Sequence, residues 1–272
     1  IMAAAAENLT PMVAECGGKD SLIVAADADL DAAAEFIAFG AFGNSGQTCV
    51  GVERVYVDNK VADALIEKVV ARAKAIELEG DDPKYGPMTL GTQPDVVAAH
   101  IADAIARGGK AVFGGPESVK GRLVSPVVLV DVPEDSLAIT EETFGPTVTI
   151  NRFATIDEAI EKANASSFGL GNSVFTKSTH TGEYVASKLK SGVVTINSVL
   201  GFAAIAALPF GGVKGSGFGR IHGADGLREF STPKSIARQA SKGMLHLLTL
   251  DRSDKDMHMV AKMIPMLHGK GK

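Results

Sequence analysis

The chain has 272 residues, 46% hydrophobic and 22% charged, with 30 Gly against 11 Pro; it can build a sizeable core and is not disordered, collagen-like or a mini-protein. A formal charge of −5 offers no electrostatic footprint for nucleic acid, and two cysteines in no ligand spacing exclude a disulfide framework and a structural zinc, which suits a reducing, cytoplasmic setting. No apolar run approaches the roughly 20 residues of a membrane-spanning helix, so no membrane partner is expected, and the opening residues carry no basic leader.

In chain order, short apolar runs alternate with helical patterns, the mark of parallel β/α units. Strands are predicted at 22–25, 54–57, 110–113, 126–130, 147–151, 172–175 and 192–196. A helix is predicted over 61–77, where Ala64, Leu65, Val69 and Ala73 recur at three- and four-residue steps and Lys68, Arg72 and Lys74 face outward. Further helices are predicted at 94–107, 156–163 and 182–189, each with Asp, Thr or Ser near its start as a cap. The expected fold class is α/β, a mainly parallel sheet flanked by helices. From 236 onward the composition turns basic, with seven Lys and Arg against three Asp, and holds five of the eight methionines. Met257, Val260, Ala261 and Ile264 follow helical spacing, predicting an amphipathic helix that Pro265 ends. This tail either packs on its own domain or a neighbouring subunit, or is a basic helix for a membrane surface or partner.

Two stretches carry chemistry. In Phe42-Gly43-Asn44-Ser45-Gly46-Gln47-Thr48-Cys49, a cysteine ends a loop of small residues between a helical run and a strand, where little blocks approach to its sulfur. It is a candidate nucleophile, needing help to ionise from a free-thiol pKa of about 8.5; an ordinary buried apolar cysteine is the other reading. In Glu15-Cys16-Gly17-Gly18-Lys19, a carboxylate precedes paired glycines that let the chain turn sharply, so Glu15 is either a general base toward water or a solvated end residue. Cys16, on an apolar pattern, is expected in the core. The six histidines share no ligand spacing, so no metal is expected.

These two motifs, with Glu141-Glu142-Thr143-Phe144-Gly145-Pro146 and Pro209-Phe210-Gly211-Gly212-Val213-Lys214-Gly215-Ser216-Gly217, resemble the aldehyde dehydrogenase superfamily over about residues 1–236, in the family's order. The match is to the C-terminal, catalytic-domain portion, which implies a fragment with its cofactor domain largely missing. It would comprise the end of the cofactor domain (1–20), the catalytic domain (21–225), an interface strand (226–240, centred on Lys234–Gln239) and a helical tail (241–272). The resemblance implies NAD(P)-dependent oxidation of an aldehyde to an acid. Cys49 would be the nucleophile, passing through a thiohemiacetal and a thioester, and Glu15 would activate the hydrolytic water. Glu142 and Phe144 would hold the nicotinamide ribose and ring of NAD or NADP, and the Cys49 N–H would serve the oxyanion. It also implies a small-molecule aldehyde substrate and a homo-oligomer. The family's pyrophosphate glycines, its adenine-ribose residue and its oxyanion asparagine would all lie upstream. Gln93 is retained, while Val96 stands where a ribose-contacting lysine is frequent. The uncharged run Ser198–Leu208 would line the aldehyde tunnel, favouring an aliphatic or aromatic substrate, and Gly43 stands where semialdehyde-specific relatives carry arginine. Gly211–Gly219 lacks the strand–loop–helix context of a phosphate loop and is expected to form tight turns. The alternatives are a catalytically incomplete scaffold and a cofactor-free cysteine esterase.

Overall fold

The computed structural model describes residues 1–240, 249–251 and 253–269, which fall into two compact units, Ile1–Ser231 and Thr232–Lys272. The first unit runs α1 (Met2–Glu7), β1 (Ala14–Glu15), β2 (Ser21–Val24), α2 (Leu30–Phe42), β3 (Arg54–Asp58), α3 (Ala62–Lys74), α4 (Gln93–Ala106), β4 (Lys110–Phe113), β5 (Val119–Lys120), β6 (Leu123–Val124), β7 (Val127–Val130), α5 (Leu137–Thr140), β8 (Thr147–Phe153), α6 (Ile156–Asn164), β9 (Gly171–Phe175), α7 (Thr179–Lys188), β10 (Val193–Ile196), β11 (Gly217–Phe218) and α8 (Gly223–Glu229).

Seven strands form the central sheet in the order β10-β9-β2-β3-β8-β7-β4. All neighbours are parallel except the edge strand β4, which runs antiparallel to β7. Each strand predicted from the sequence is present. The period-two alternation of a strand explains how these short runs build apolar clusters on both faces of the sheet. Leu22, Val24, Val55, Val57, Val148 and Ile150 meet Ala33 and Ile37 of α2 and Leu65 and Val69 of α3. Ile23, Tyr56 and Val174, on the other face, meet Ala159 and Ile160 of α6 and Val185 of α7. Val127 and Leu129 pack with Val97, Ile101 and Ala104 of α4. Burial on both faces is why these strands read as continuous apolar runs.

Helix starts follow capping chemistry. The Asp29 carboxylate accepts from Asp31 N and Ala32 N (both 3.1 Å), Thr155 from Glu158 N (3.3 Å) and Ser178 from Thr181 N (3.1 Å). At α4 the expected cap is replaced by Pro94 in the first turn, whose missing N–H costs nothing there, and Thr92 makes no side-chain cap.

The second unit contains α9 (Asp254–His268), opened by a Ser253–Asp256 capping box. Pro265 does not end it. No residue of α9 is buried, so the carbonyl one turn back that loses its donor faces solvent, and Gly269 N closes the last turn on Pro265 O at 2.8 Å. Residues 226–240, expected as an interface strand, begin inside α8 and contain no strand as far as Ala240. Of the expected tail, residues 241–248, 252 and 270–272 lie outside the described residues. Among the described residues no helix is long and apolar enough to cross a membrane.

Candidate active site

Parallel strands place all their amino ends on one edge of a sheet. The Glu15 segment runs into β2, the Cys49 segment into β3 and the Glu142–Phe144 segment into β8, so the three segments converge on that edge. In open α/β sheets ligands usually sit at the opposite, carboxyl edge.

The loop before Cys49 is held tightly. After α2 a 3-10 turn covers Gly43–Gly46, with Asn44 (φ 53°) and Ser45 (φ 60°) both left-handed. Asn44 Nδ2 donates to Gln47 O and Gln47 Nε2 to Asn44 O, each at 3.0 Å. Gln47 Oε1 accepts from Thr89 N (2.8 Å), and the buried Ser45 hydroxyl donates to Gly86 O (2.7 Å). Gly46 is required twice over, by its φ of 69° and because a Cβ would overlap the Gly145 carbonyl. Gly51 N then bonds Thr48 O at 2.9 Å and Val52 N bonds Gly40 O at 3.0 Å, which leaves Cys49 exposed at the turn between them.

Glu15 lies in a separate two-stranded ribbon, β1 paired antiparallel with β11, opposite Gly217, and is exposed. Cys16 is exposed too, not in the core: it lies on this ribbon outside the main sheet, where neighbouring Val13 and Ala14 are only half-buried. The Gly17-Gly18 pair is where the segments meet. Glu142 Oε1 accepts from Gly18 N at 2.8 Å. A Cβ on Gly17 would overlap the Glu142 carboxylate, and one on Gly18 would overlap the Cys49 carbonyl. The structure therefore brings Cys49, Gly17, Gly18 and Glu142 together, with Phe144 half-buried and left-handed (φ 47°) on the same loop as Glu142.

Although the residue is open to the surface, the atoms packed around its sulfur partly desolvate it and raise the Cys49 thiol above its ordinary value; the charges of Asp20 and Glu142 add to this, while the Val50 and Cys49 amides pull the other way. Asp20 is fully buried and lies well above the carboxylate range through desolvation, opposed by the Gly171 N–H it accepts at 2.9 Å and by the charge of Arg54. Glu142 is raised by burial, opposed by the Gly18 N–H.

Sequence reasoning missed the polar layer beneath. Lys19 is buried and pairs with Glu53, also donating to Thr143 Oγ1 at 3.0 Å. Glu53 accepts from Thr143 N (2.9 Å) and Phe144 N (2.9 Å). Thr143 Oγ1 lies 3.0 Å from His100 Nδ1, and Gln93 Nε2 donates to Thr143 O at 2.8 Å. Burial lowers the pKa of Lys19, against Glu53, and that of His100, where the charge of Lys19 adds to it. The Arg54 guanidinium reaches Lys19 O (2.9 Å) and Ala163 O (3.2 Å). One signal was available: Glu53-Arg54 puts two charges at the start of an apolar strand, and buried charges demand partners. Among the described residues no group of three His, Cys, Asp or Glu is placed to hold a metal.

The uncharged run downstream forms a 3-10 turn at Gly201–Ala204, with Phe202 stacked on Phe210 at 5.3 Å and Ile205 and Leu208 exposed. Lys214–Ser216 is another 3-10 turn, leading into β11.

The aldehyde dehydrogenase family model matches residues 1–236. A 4,4'-diapolycopene aldehyde oxidase of Methylomonas sp is 44% identical over 237 residues, 86% of this chain and 44% of that protein. The succinate-semialdehyde dehydrogenase [NADP(+)] 1 of Mycobacterium tuberculosis is 37% identical over 239 residues, 86% of this chain and 52% of that protein. Betaine aldehyde dehydrogenase from Staphylococcus aureus, solved in complex with NAD+, superposes with a TM-score of 0.78 at 33% identity, covering 84% of this chain and 46% of that one. The chain thus spans about half the length of the curated relatives it matches. With four motifs, a mainly parallel sheet and matches over most of its length, the chain belongs to the aldehyde dehydrogenase family.

Proposed function

We propose that this chain carries the catalytic centre for NAD- or NADP-dependent oxidation of an aldehyde to a carboxylic acid, with Cys49 as nucleophile and Glu15 as base. The observation that carries this reading is the surface position of Cys49, whose carbonyl its hydrogen-bonded loop packs against Gly18 and whose thiol lies in the field of Glu142. Its thiolate adds to the carbonyl carbon, forming a C–S bond and an alkoxide to which the Cys49 N–H can donate. A nicotinamide dinucleotide, when bound, would accept the hydride that leaves this carbon. What remains on Cys49 is a thioester. Glu15 takes a proton from water as the water oxygen adds, and the C–S bond breaks to return the thiolate and release the acid.

The residues fit the nicotinamide half of such a cofactor. A half-buried carboxylate at Glu142 accepts hydrogen bonds of the kind ribose hydroxyls offer, and the Phe144 ring suits a flat heteroaromatic partner. NAD+ is present in the Staphylococcus aureus complex, and the Mycobacterium tuberculosis relative is named for NADP+. Phe202, Ile205 and Leu208 form an uncharged surface, which favours an apolar aldehyde; the substrate named for the Methylomonas relative, a diapolycopene aldehyde, agrees with this. Two variants test the reading with aldehyde, NAD+ and NADP+. Cys49→Ala is expected to abolish aldehyde-dependent NAD(P)H formation, and Glu15→Gln to spare the first burst while slowing steady turnover, since only deacylation uses the base. Persistent activity in Cys49→Ala ends the assignment.

A further inference from the structure

We infer that Glu53, locked by Lys19, is a positioning residue that sets the conformation of the Glu142–Phe144 loop and so places Glu142 and Phe144 over Gly17-Gly18 and Cys49. This rests on the reading of those residues given above and goes beyond it, because Glu53 touches none of the reacting atoms. Three separate chain segments carry the proposed site, and each contributes one member of the buried cluster. Lys19 lies four residues after Glu15, Glu53 four after Cys49, and Thr143 between Glu142 and Phe144. In this cluster all three segments are tied by polar bonds beneath the surface.

The geometry shows what Glu53 does there. Phe144 is left-handed at φ 47°, a conformation that a bulky L-residue adopts only when its surroundings impose it. In that conformation its N–H and that of Thr143 converge on one carboxylate, at 2.9 Å each, an anion-holding nest closed by a side chain from another segment. Straightening Phe144 would turn its N–H away from Glu53. It would also carry Glu142, two residues back, off the Gly18 amide that it accepts at 2.8 Å. Lys19 prevents Glu53 from leaving: the ammonium is buried against it, and it bonds Thr143 from the side-chain direction as well. A buried carboxylate without that cation would be unpaired.

The test separates positioning from bulk stability by removing both charges together, since a buried ion pair replaced by groups of similar volume usually leaves a fold intact. K19M/E53Q keeps a carbonyl acceptor for the two N–H groups, and K19M/E53L keeps none. Amide hydrogen exchange is measured on the full chain by NMR, with folding checked by circular dichroism. In K19M/E53L the amides of Thr143, Phe144 and Gly18 are expected to exchange roughly tenfold faster than in K19M/E53Q, which stays near the unmodified chain. In aldehyde oxidation the same comparison should raise the KM for NAD+ roughly fivefold with kcat moved much less, as lost ground-state binding does. Unchanged protection at Gly18 and Phe144 overturns the inference, and so does lost protection with an unchanged KM. If K19M/E53L does not fold, K19M/E53M, unbranched like glutamate and equally without an acceptor, decides: exchange at these three amides roughly tenfold faster than in K19M/E53Q supports the inference and no difference overturns it. Should the unmodified chain oxidise no aldehyde, the reading of function has failed, and exchange, which needs no cofactor, settles the role of Glu53 alone.

Discussion

At Cys49 burial and two nearby carboxylates oppose the ionisation that nucleophilic attack requires. Desolvation acts first, Asp20 next among the charges, and Glu142 less; the amides of Val50 and Cys49 face the sulfur and oppose all three. Only the thiolate reacts with iodoacetamide, so the alkylation rate should rise through a pH midpoint above the ordinary thiol value of about 8.5, read in a Cys16→Ser background because both thiols are exposed. Asp20→Asn keeps an oxygen for the Gly171 N–H and removes the charge, so it should lower the midpoint, and Glu142→Gln should lower it by less. Identical midpoints in all three proteins would mean that burial alone holds the thiol protonated. Cys49 was legible in the sequence as a candidate nucleophile because small residues on both sides of a lone cysteine are a local pattern. Its electrostatic setting was not, because Asp20 and Glu142 reach it from segments distant along the chain.

The Gly43–Gly46 turn converts the end of α2 into a platform for Cys49, and it does so with three successive left-handed residues. Asn44 and Ser45 accept that conformation because their side chains bond to Gln47 O and Gly86 O. Gly46 accepts it because it has no Cβ, and because Gly145 packs where one would be. Gly46→Ala should therefore destabilise the chain by about 2 kcal/mol or more and displace the Cys49 loop. Gly86→Ala, a glycine with open space around it and no left-handed φ, should change the urea midpoint little. Equal midpoints for the two variants would show that the loop relaxes around an added methyl. Strands and helices of this chain were readable at the same scale, since apolar period and caps are local. The ribbon of β1 and β11 was not, because each strand has two residues and its pairing joins positions about 200 apart.

Over the whole molecule, apolar side chains remain on the surface: Phe39, Leu90, Leu227, Phe230 and Ile236 are each at least 60% exposed. Large apolar side chains left in water favour association, which removes them from it. The 272-residue chain should elute as an oligomer on size-exclusion chromatography; a concentration-independent monomer would contradict this. The cofactor contacts proposed above, Glu142 and Phe144, address only the nicotinamide end, so this chain should bind NAD+ no more tightly than about millimolar, or roughly 4 kcal/mol. Micromolar binding by titration calorimetry would show that it holds far more of the dinucleotide.

What the sequence determined by itself is whatever short-range pattern can encode. The apolar alternation of the strands, the helices that Thr155 and Ser178 cap, and the four motifs that mark the family were all readable in order along the chain. Tertiary structure alone decided which of them meet. It placed the site at the amino edge of the parallel strands, gathered Lys19, Glu53 and Thr143 into one buried cluster, and left Cys16 on an exposed ribbon despite its apolar neighbours. It also let α9 pass through Pro265, since an exposed helix can leave one carbonyl to water. The physical reason is common to these cases. Burial, ion pairing and field strength depend on distances between segments, and a linear pattern specifies the segments without specifying those distances.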